Sequence, residues 1–297
     1  MNIVKSDLFP VIIMTRNEGE YLLRCVESIF STVVLDVMIY IVDNNSDESQ
    51  HIEALSWLEK KYPEKVNVKR NKSNNWIIGI NETLKEIKCN HKSKYFFISD
   101  GDIDFSNVYT KNACWLSYLI ETMDDNRVIG KLGFSLNWDY ISTEPELKDI
   151  YAQEQSLYSD EKKINDLYIA QVDTTACILR WDWSIEGNSL FYPDHMRYLR
   201  PELYSCRTPK NINVEHLGWY KYKKNQLSIK HINEKVKCFT LLGATVKPEI
   251  VGQASWKIRI FHKLFSRLFL NFWIIRRYYM LYSYIWVKGR KAFDGQI

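Results

Sequence analysis

The sequence predicts an α/β fold, a mostly parallel sheet with helices on both faces, followed by a basic helical tail rich in aromatic residues. Three observations carry this. Short apolar runs of β type alternate with segments of helical period. The early runs end in polar clusters instead of tight hairpin turns, as the carboxyl ends of parallel strands do. The chain has 297 residues, 46% hydrophobic and 26% charged, which is the composition of a globular protein long enough to bury a full core.

Phe9 to Met14 is the first apolar run, and the polar turn Thr15-Arg16-Asn17-Glu18-Gly19-Glu20 follows it. Leu22, Leu23, Val26, Ile29 and Phe30 then recur with helical spacing. Val37 to Val42 is a second buried strand that ends in Asp43-Asn44-Asn45-Ser46-Asp47-Glu48-Ser49, and Ile52 to Lys61 reads as helix. Val66 to Arg70 is a short third strand, with a helix from Ile80 to about Ile87. Tyr95 to Ile98 is the fourth strand. Beyond it the pattern predicts a helix over Val108 to Met123 and a strand over Val128 to Phe134. Asn137 to Asp166 is polar and acidic, either a surface excursion or a mobile lid, with helix around Glu146 to Leu157. A strand-like stretch runs from Tyr168 through Asp173 to Arg180.

The six cysteines show no close pairing, which excludes a zinc ribbon or disulfide framework and points to a reducing cytoplasm, and the N-terminus has no signal-peptide pattern. The net charge of +4 is unevenly spread. Nine Lys or Arg and no Asp or Glu lie between Trp256 and Lys291, so the rest of the chain carries −5.

The run Tyr95-Phe96-Phe97-Ile98-Ser99 breaks abruptly into Asp100-Gly101-Asp102-Ile103-Asp104. Carboxylates two apart at the end of a buried strand can point into one crevice, where hard oxygen ligands suit Mg²⁺ or Mn²⁺ held against a phosphate. Solvated loop carboxylates are the alternative. Asp43 to Ser49 reads equally as a site or as an Asx-rich turn capping the next helix.

Taken together, these segments resemble the nucleotide-sugar-binding half of GT-A glycosyltransferases of the family 2 type. The resemblance covers the first hundred residues and rests on four segments in order. These are Met14-Thr15-Arg16-Asn17-Glu18 with Leu22-Leu23-Arg24-Cys25-Val26-Glu27-Ser28, then Val42 to Ser49, then Trp76-Ile77-Ile78-Gly79-Ile80-Asn81, then Asp100-Gly101-Asp102. It implies a GT-A catalytic domain over 1–245, divided into a nucleotide-sugar-binding half (1–106) and an acceptor half (107–245), with a basic amphipathic region over 246–297.

The resemblance also implies roles. Thr15, Arg16, Asn17, Glu18, Asn45, Gly79 and Asn81 would line the donor pocket, and Asp43 would bond the base. Asp100 would contact the nucleotide or its sugar and share the metal with Asp102, which would bind the ion that bridges the diphosphate, with Asp104 either a further ligand or a cap for the next helix. The implied activity is metal-dependent, inverting transfer from a nucleotide-sugar, a UDP-sugar favoured, to a lipid-linked or surface glycan such as lipopolysaccharide or capsule.

The family's acceptor-side Glu-Asp pair has no clear counterpart, which leaves a non-catalytic module on the same fold open. An inverting transfer needs a carboxylate that takes the acceptor's proton. Asp173 is the first candidate and Asp194, in Tyr192-Pro193-Asp194-His195, the second. His216 could complete the metal shell or pack beside Trp219 and Tyr220; Arg197, Arg200 and Arg207 could meet an acidic acceptor.

Leu268 to Val287 is long enough to span a bilayer, but Arg276 and Arg277 would sit near its centre. A helical pair lying on the inner face of the cytoplasmic membrane fits better, with packing on the catalytic domain or a second subunit as the alternative. No zinc, helix-turn-helix or RNP pattern supports nucleic-acid binding. No Gly-rich phosphate loop with its Lys follows the first strand, as a nucleotidyltransferase of that kind would need.

Overall fold

The computed structural model describes residues 8–111, 113–181, 205–221 and 229–288. At its centre two parallel strands, β1 (Phe9–Thr15) and β2 (Val37–Asp43), are joined by helix α1 (Glu20–Thr32). Every residue of β2 is buried, as a parallel strand covered on both faces requires. Helix α2 (Ser49–Lys61) leads to β3 (Val66–Arg70), and a 3-10 turn (Trp76–Ile80) with α3 (Asn81–Asn90) leads to β4 (Tyr95–Asp100). These strands run parallel in the order β3-β2-β1-β4. Thr15 is therefore level with Asp43, and Met14 with Asp100, at one edge of the sheet.

The second half is mixed. It comprises β5 (Ile103–Asp104), α4 (Trp115–Asp125), β6 (Lys131–Gly133), β7 (Ser135–Leu136), α5 (Asp139–Thr143), a 3-10 turn (Pro145–Leu147), α6 (Lys148–Gln155), β8 (Lys163–Ile164), β9 (Leu167–Ile169) and β10 (Ala176–Arg180). After these come β11 (Ser205–Arg207), β12 (Asn213–His216), a 3-10 turn (Leu217–Lys221), α7 (Ile229–Leu241), α8 (Pro248–Gln253) and α9 (Trp256–Lys288). The main sheet continues from β4 as β10-β6-β11-β9-β8, with β10 antiparallel to both neighbours. A small sheet, β5-β12-β7, pairs His216 with Ile103.

Four expectations change. The helix predicted from Val108 begins at Trp115, because Ser106, Asn107 and Tyr109 are exposed whereas Trp115, Leu116, Leu119 and Met123 give α4 a buried face, and Cys114 Sγ caps it by accepting from Ser117 N. The stretch from 137 to 166 carries the expected helix as α6 but is more than a surface excursion: it packs inward through Ile141 of α5, Leu147 of the 3-10 turn and Glu154 of α6, with Trp138 edge-on to Tyr151 and Tyr158. The single strand read from Tyr168 to Arg180 is two, β9 pairing with β11 and β10 with β4, separated by a turn in which Asp173 Oδ1 accepts from Thr175 N at 3.0 Å. The helical pair read in the tail is one continuous helix of 33 residues, α9.

Between the sheet and α4, Trp115 stacks on Phe105 at 4.8 Å, contacts Phe97 and Phe134, and donates its indole N–H to Thr32 Oγ1 at 2.8 Å. It is 1% exposed. Trp115→Ala should cost about 3–5 kcal/mol through lost contacts and the cavity left behind, read as a lowered midpoint in urea unfolding.

Candidate active site

The loop joining β4 to β5 is Asp100-Gly101-Asp102, and three backbone bonds hold it. Asp100 N donates to Thr175 O, Gly101 N to Met14 O and Leu217 N to Asp102 O, each at 2.8 Å. The last places the β12 turn directly over Asp102. His216 Nδ1 lies 3.8 Å from Asp102 Oδ2, and its ring stacks on Trp219 at 4.9 Å with an interplanar angle of 6°. His216 thus packs on Trp219, as one of its two readings had it, with its Nδ1 turned towards Asp102.

This approach needs glycine at 218, where a Cβ would stand 2.0 Å from Asp102 Oδ2 and 2.8 Å from the His216 ring. Gly101 is equally constrained, its position filled by Glu18 Oε2 and Thr15 Oγ1.

Asp102 Oδ1 and His216 Nδ1 are buried and make no hydrogen bond. Orphaned buried acceptors are costly, and a divalent cation satisfies both. Among the described residues no cluster of three or more metal-ligating side chains exists. One carboxylate and one imidazole fit a cation whose remaining ligands are diphosphate oxygens and water, the usual state of Mg²⁺.

Asp100 and Asp173 border the same recess. Burial, and then the charges of Asp102 and Asp173, push the Asp100 carboxyl well above the usual carboxylate range. Asp173 stands where water reaches its side chain although protein surrounds it. Burial alone would raise its carboxyl, but the Arg207 charge and the Thr175 hydrogen bonds outweigh burial and hold it below the ordinary value. Arg207 is itself buried, donating to Gln171 O at 2.8 Å and facing Glu154 Oε2 at 3.5 Å. It serves as the inner counter-charge of the site, not as an exposed contact for an acidic acceptor. Burial raises the Glu154 carboxyl, and Arg207 only partly opposes this.

The donor-side residues form a second layer. Thr15 Oγ1 donates to Glu18 Oε2 at 2.6 Å. Asn17 adopts φ 55° and clamps the neighbouring loop, donating to Asp47 Oδ1 and accepting from the Asp47 and Glu48 N–H groups. Its amide thus braces two loops. Fully buried His51 accepts from the N–H of Glu18 and Gly19 at Nδ1, both at 3.1 Å, so its proton sits on Nε2, facing Asp43 Oδ1 at 3.5 Å. Burial works to raise Asp43, but the bonds from His51 and Ser46 hold it below the usual range.

Asn45 is exposed at φ 62°, while buried Asn44 accepts from Asn71 Nδ2 at 3.0 Å. Gly79 closes over that pair, where a Cβ would meet Asn44 Oδ1 at 2.5 Å, and Asn81 is buried at the start of α3. Arg16 Nη1 donates to Glu234 Oε2 at 3.1 Å, which also accepts from Asn74 Nδ2 at 3.1 Å, drawing α7 across the mouth of the donor loops.

Asp104 does not cap the next helix, which begins at Trp115. It is 3% exposed, its Oδ2 pairs with Arg24 at 2.6 Å and its Oδ1 accepts from Ser106 N. Asp194, Arg197 and Arg200 lie outside the described residues. Beside His216 opens a shallow cleft of about 180 Å³ lined by Asn137, Asp139, Tyr140, Glu215, Trp219 and Tyr220.

The family model of glycosyl transferase family 2 matches residues 11–181, more than half of the chain. The chain belongs to this family. No curated protein sequence matches it. Among solved structures, GalNAc-T7, in a crystal structure with UDP, GalNAc and Mn²⁺, is similar at TM-score 0.50 and 14% identity, over 79% of this chain and 48% of that one. The chain thus spans about half the length of that protein. The mannosyltransferase PcManGT from Pyrobaculum calidifontis, in complex with GDP-Man and Mn²⁺, gives TM-score 0.46 at 9% identity over 97% and 76% of the two chains, and TarS from S. aureus 0.45 at 13% over 83% and 69%.

In this family 2 chain the residues that sequence patterning missed are supports. His51 lies inside a helix where nothing in its neighbours marks it, Glu154 of α6 reaches the site through its ion pair with Arg207, and Gly218 through the pairing of β12. Gly218 stands two residues after His216, a spacing that would have suggested close backbone approach had the pairing of β12 with β5 been known. His51→Ala strands the Glu18 and Gly19 N–H groups and should destabilise the chain by about 1–3 kcal/mol, measured by urea unfolding.

Proposed function

We propose that this chain transfers a sugar from a nucleotide-sugar to a glycan acceptor, with a divalent metal, Mn²⁺ or Mg²⁺, held by Asp102 and His216. The observation that carries the proposal is that two neighbouring side chains, Asp102 and His216, 3.8 Å apart through Oδ2 and Nδ1, each keep a buried atom without a hydrogen bond, Asp102 Oδ1 and His216 Nδ1, beneath the turn that Gly218 permits. A metal bound there acts as a Lewis acid that offsets charge on the departing diphosphate. The donor loops at Thr15 to Glu18, Asp43 to Asn45 and Gly79 to Asn81 surround the nucleotide. Asp43 keeps acceptor capacity on Oδ2 for the base, and Asp100 faces the donor sugar.

Asp173 is the base in this reading. The acceptor hydroxyl oxygen bonds to the anomeric carbon as the bond from that carbon to the diphosphate oxygen breaks, and the hydroxyl proton passes to the Asp173 carboxylate. Attack opposite the leaving group inverts the anomeric centre. Arg207 keeps Asp173 ionised and so ready to accept. The aromatic cleft beside His216 is suited to a sugar ring, through Tyr140, Trp219 and Tyr220. A UDP-sugar is the favoured donor, and a lipid-linked or surface glycan at the inner face of the cytoplasmic membrane the favoured acceptor.

A UDP-sugar with Mn²⁺ should raise the melting temperature, and Asp102→Asn should abolish the rise; unchanged melting with every common nucleotide-sugar overturns the proposal. Slow release of nucleoside diphosphate, lost in Asp102→Asn, separates an enzyme from an inert scaffold of the same fold. Asp173→Asn should keep the melting shift while lowering turnover by about 10²–10⁴-fold. If Asp194→Asn shows that loss and Asp173→Asn does not, Asp194 is the base.

A further inference from the structure

Helix α9 has two unlike faces. The inner one packs on α7. Trp273, 2% exposed, donates its indole N–H to Leu241 O at 2.9 Å, His262 Nδ1 meets Thr240 Oγ1 at 2.8 Å, and Gly243 lies against Leu270 and Trp273. The outer face carries Ile260, Leu264, Leu268, Phe272, Ile275 and Tyr279, each between 49% and 69% exposed. Their spacing of three or four residues places them along one stripe. Trp286 continues it at 90% exposure. A continuous apolar stripe of this length is more than isolated surface residues provide, and such patches mark contact surfaces.

The charge around the stripe selects what covers it. Lys257, Arg259, Lys263 and Arg267 are exposed, and no Asp or Glu occurs from Trp256 to Lys288. A second copy of α9 laid on this face would bring two basic rims together, whereas an anionic lipid surface complements both the stripe and the rim. No described helix is long and apolar enough to cross a membrane. With about 1.5 Å of rise per residue, α9 is roughly 50 Å of helix available to lie in an interface.

We propose that α9 docks flat on an anionic bilayer, its outer stripe among the acyl chains near the headgroups and its basic residues at the phosphates. The inner face stays on α7, so the docked helix fixes the orientation of the catalytic domain above the surface. This inference needs nothing from the reading of the metal site, and the two can fail separately.

The test is flotation of the full-length chain with vesicles of phosphatidylcholine alone or mixed with phosphatidylglycerol, with light scattering for oligomeric state. Wild type should float with the mixed vesicles, weakly or not with neutral ones, and high salt should weaken the binding. The combined variant Leu264→Glu, Leu268→Glu, Ile275→Glu changes only exposed positions, so its circular dichroism should match wild type while flotation falls at least about tenfold. Lys263→Glu with Arg267→Glu should lose the preference for anionic lipid. Absence of wild-type flotation overturns the proposal, and a dimer dispersed by the triple variant would then assign the stripe to a second copy. Equal binding to neutral and anionic vesicles overturns the electrostatic half.

Discussion

The crowding of Asp100, Asp102 and Asp173 in one recess is the constraint on which the rest of the site depends. Like charges in a partly dry crevice oppose one another, and the protein answers each differently. Asp100 is pushed towards its neutral form. Asp173 is kept ionised by Arg207, which is anchored in turn to Gln171 O and Glu154. Asp102 faces an imidazole that makes no hydrogen bond at the atom turned towards it. Two neighbouring carboxylates, Asp100 and Asp173, thus acquire opposite electrostatic settings within one cluster.

The backbone makes that crowding possible. Parallel strands deliver the ends of β1, β2 and β4 to one edge, and the antiparallel insertion of β10 brings Thr175, and with it Asp173, against Asp100. The small sheet then folds β12 back so that His216 and Gly218 close over Asp102. Either contact alone leaves the site open. A side chain at position 218 would drive the turn off Asp102 without touching any ligand, so the glycine is as much a part of the site as the groups that face it.

The first half of the fold was legible because its signals are local. Each strand is a continuous apolar run, each helix has a buried stripe, and the polar clusters fall at strand ends, so Asp43, Asp100 and Asp102 could be located from their neighbours alone. The second half was not legible in the same way. β9 has three residues and β7 and β8 two each, too short to carry a period, whereas β6 lies inside the strand read from Val128 to Phe134. The insertion holding α5 and α6 reads as polar because its inward contacts are a few aromatics and one buried carboxylate, Glu154. His51 and Arg207 act through burial and through partners far away in the chain, and neither property leaves a mark on adjacent residues. The partner of Asp104 was hidden for the same reason: Arg24 is 80 residues away.

The C-terminal helices show how a long-range ion pair changes the meaning of a tail. Arg16, in the first polar loop, is bonded to Glu234 of α7, and Trp76 of the loop before α3 meets His231 edge-on at 5.3 Å and Phe239 at 5.7 Å. α7 is therefore seated against the donor loops on one side and against α9 on the other. Glu234 occupies the Arg16 guanidinium, so any anion binding at Arg16 must share or displace that carboxylate. Gly243, just after α7, lies against Leu270 and Trp273 of α9, so α7 is held between the loops at the front of the chain and its last described helix.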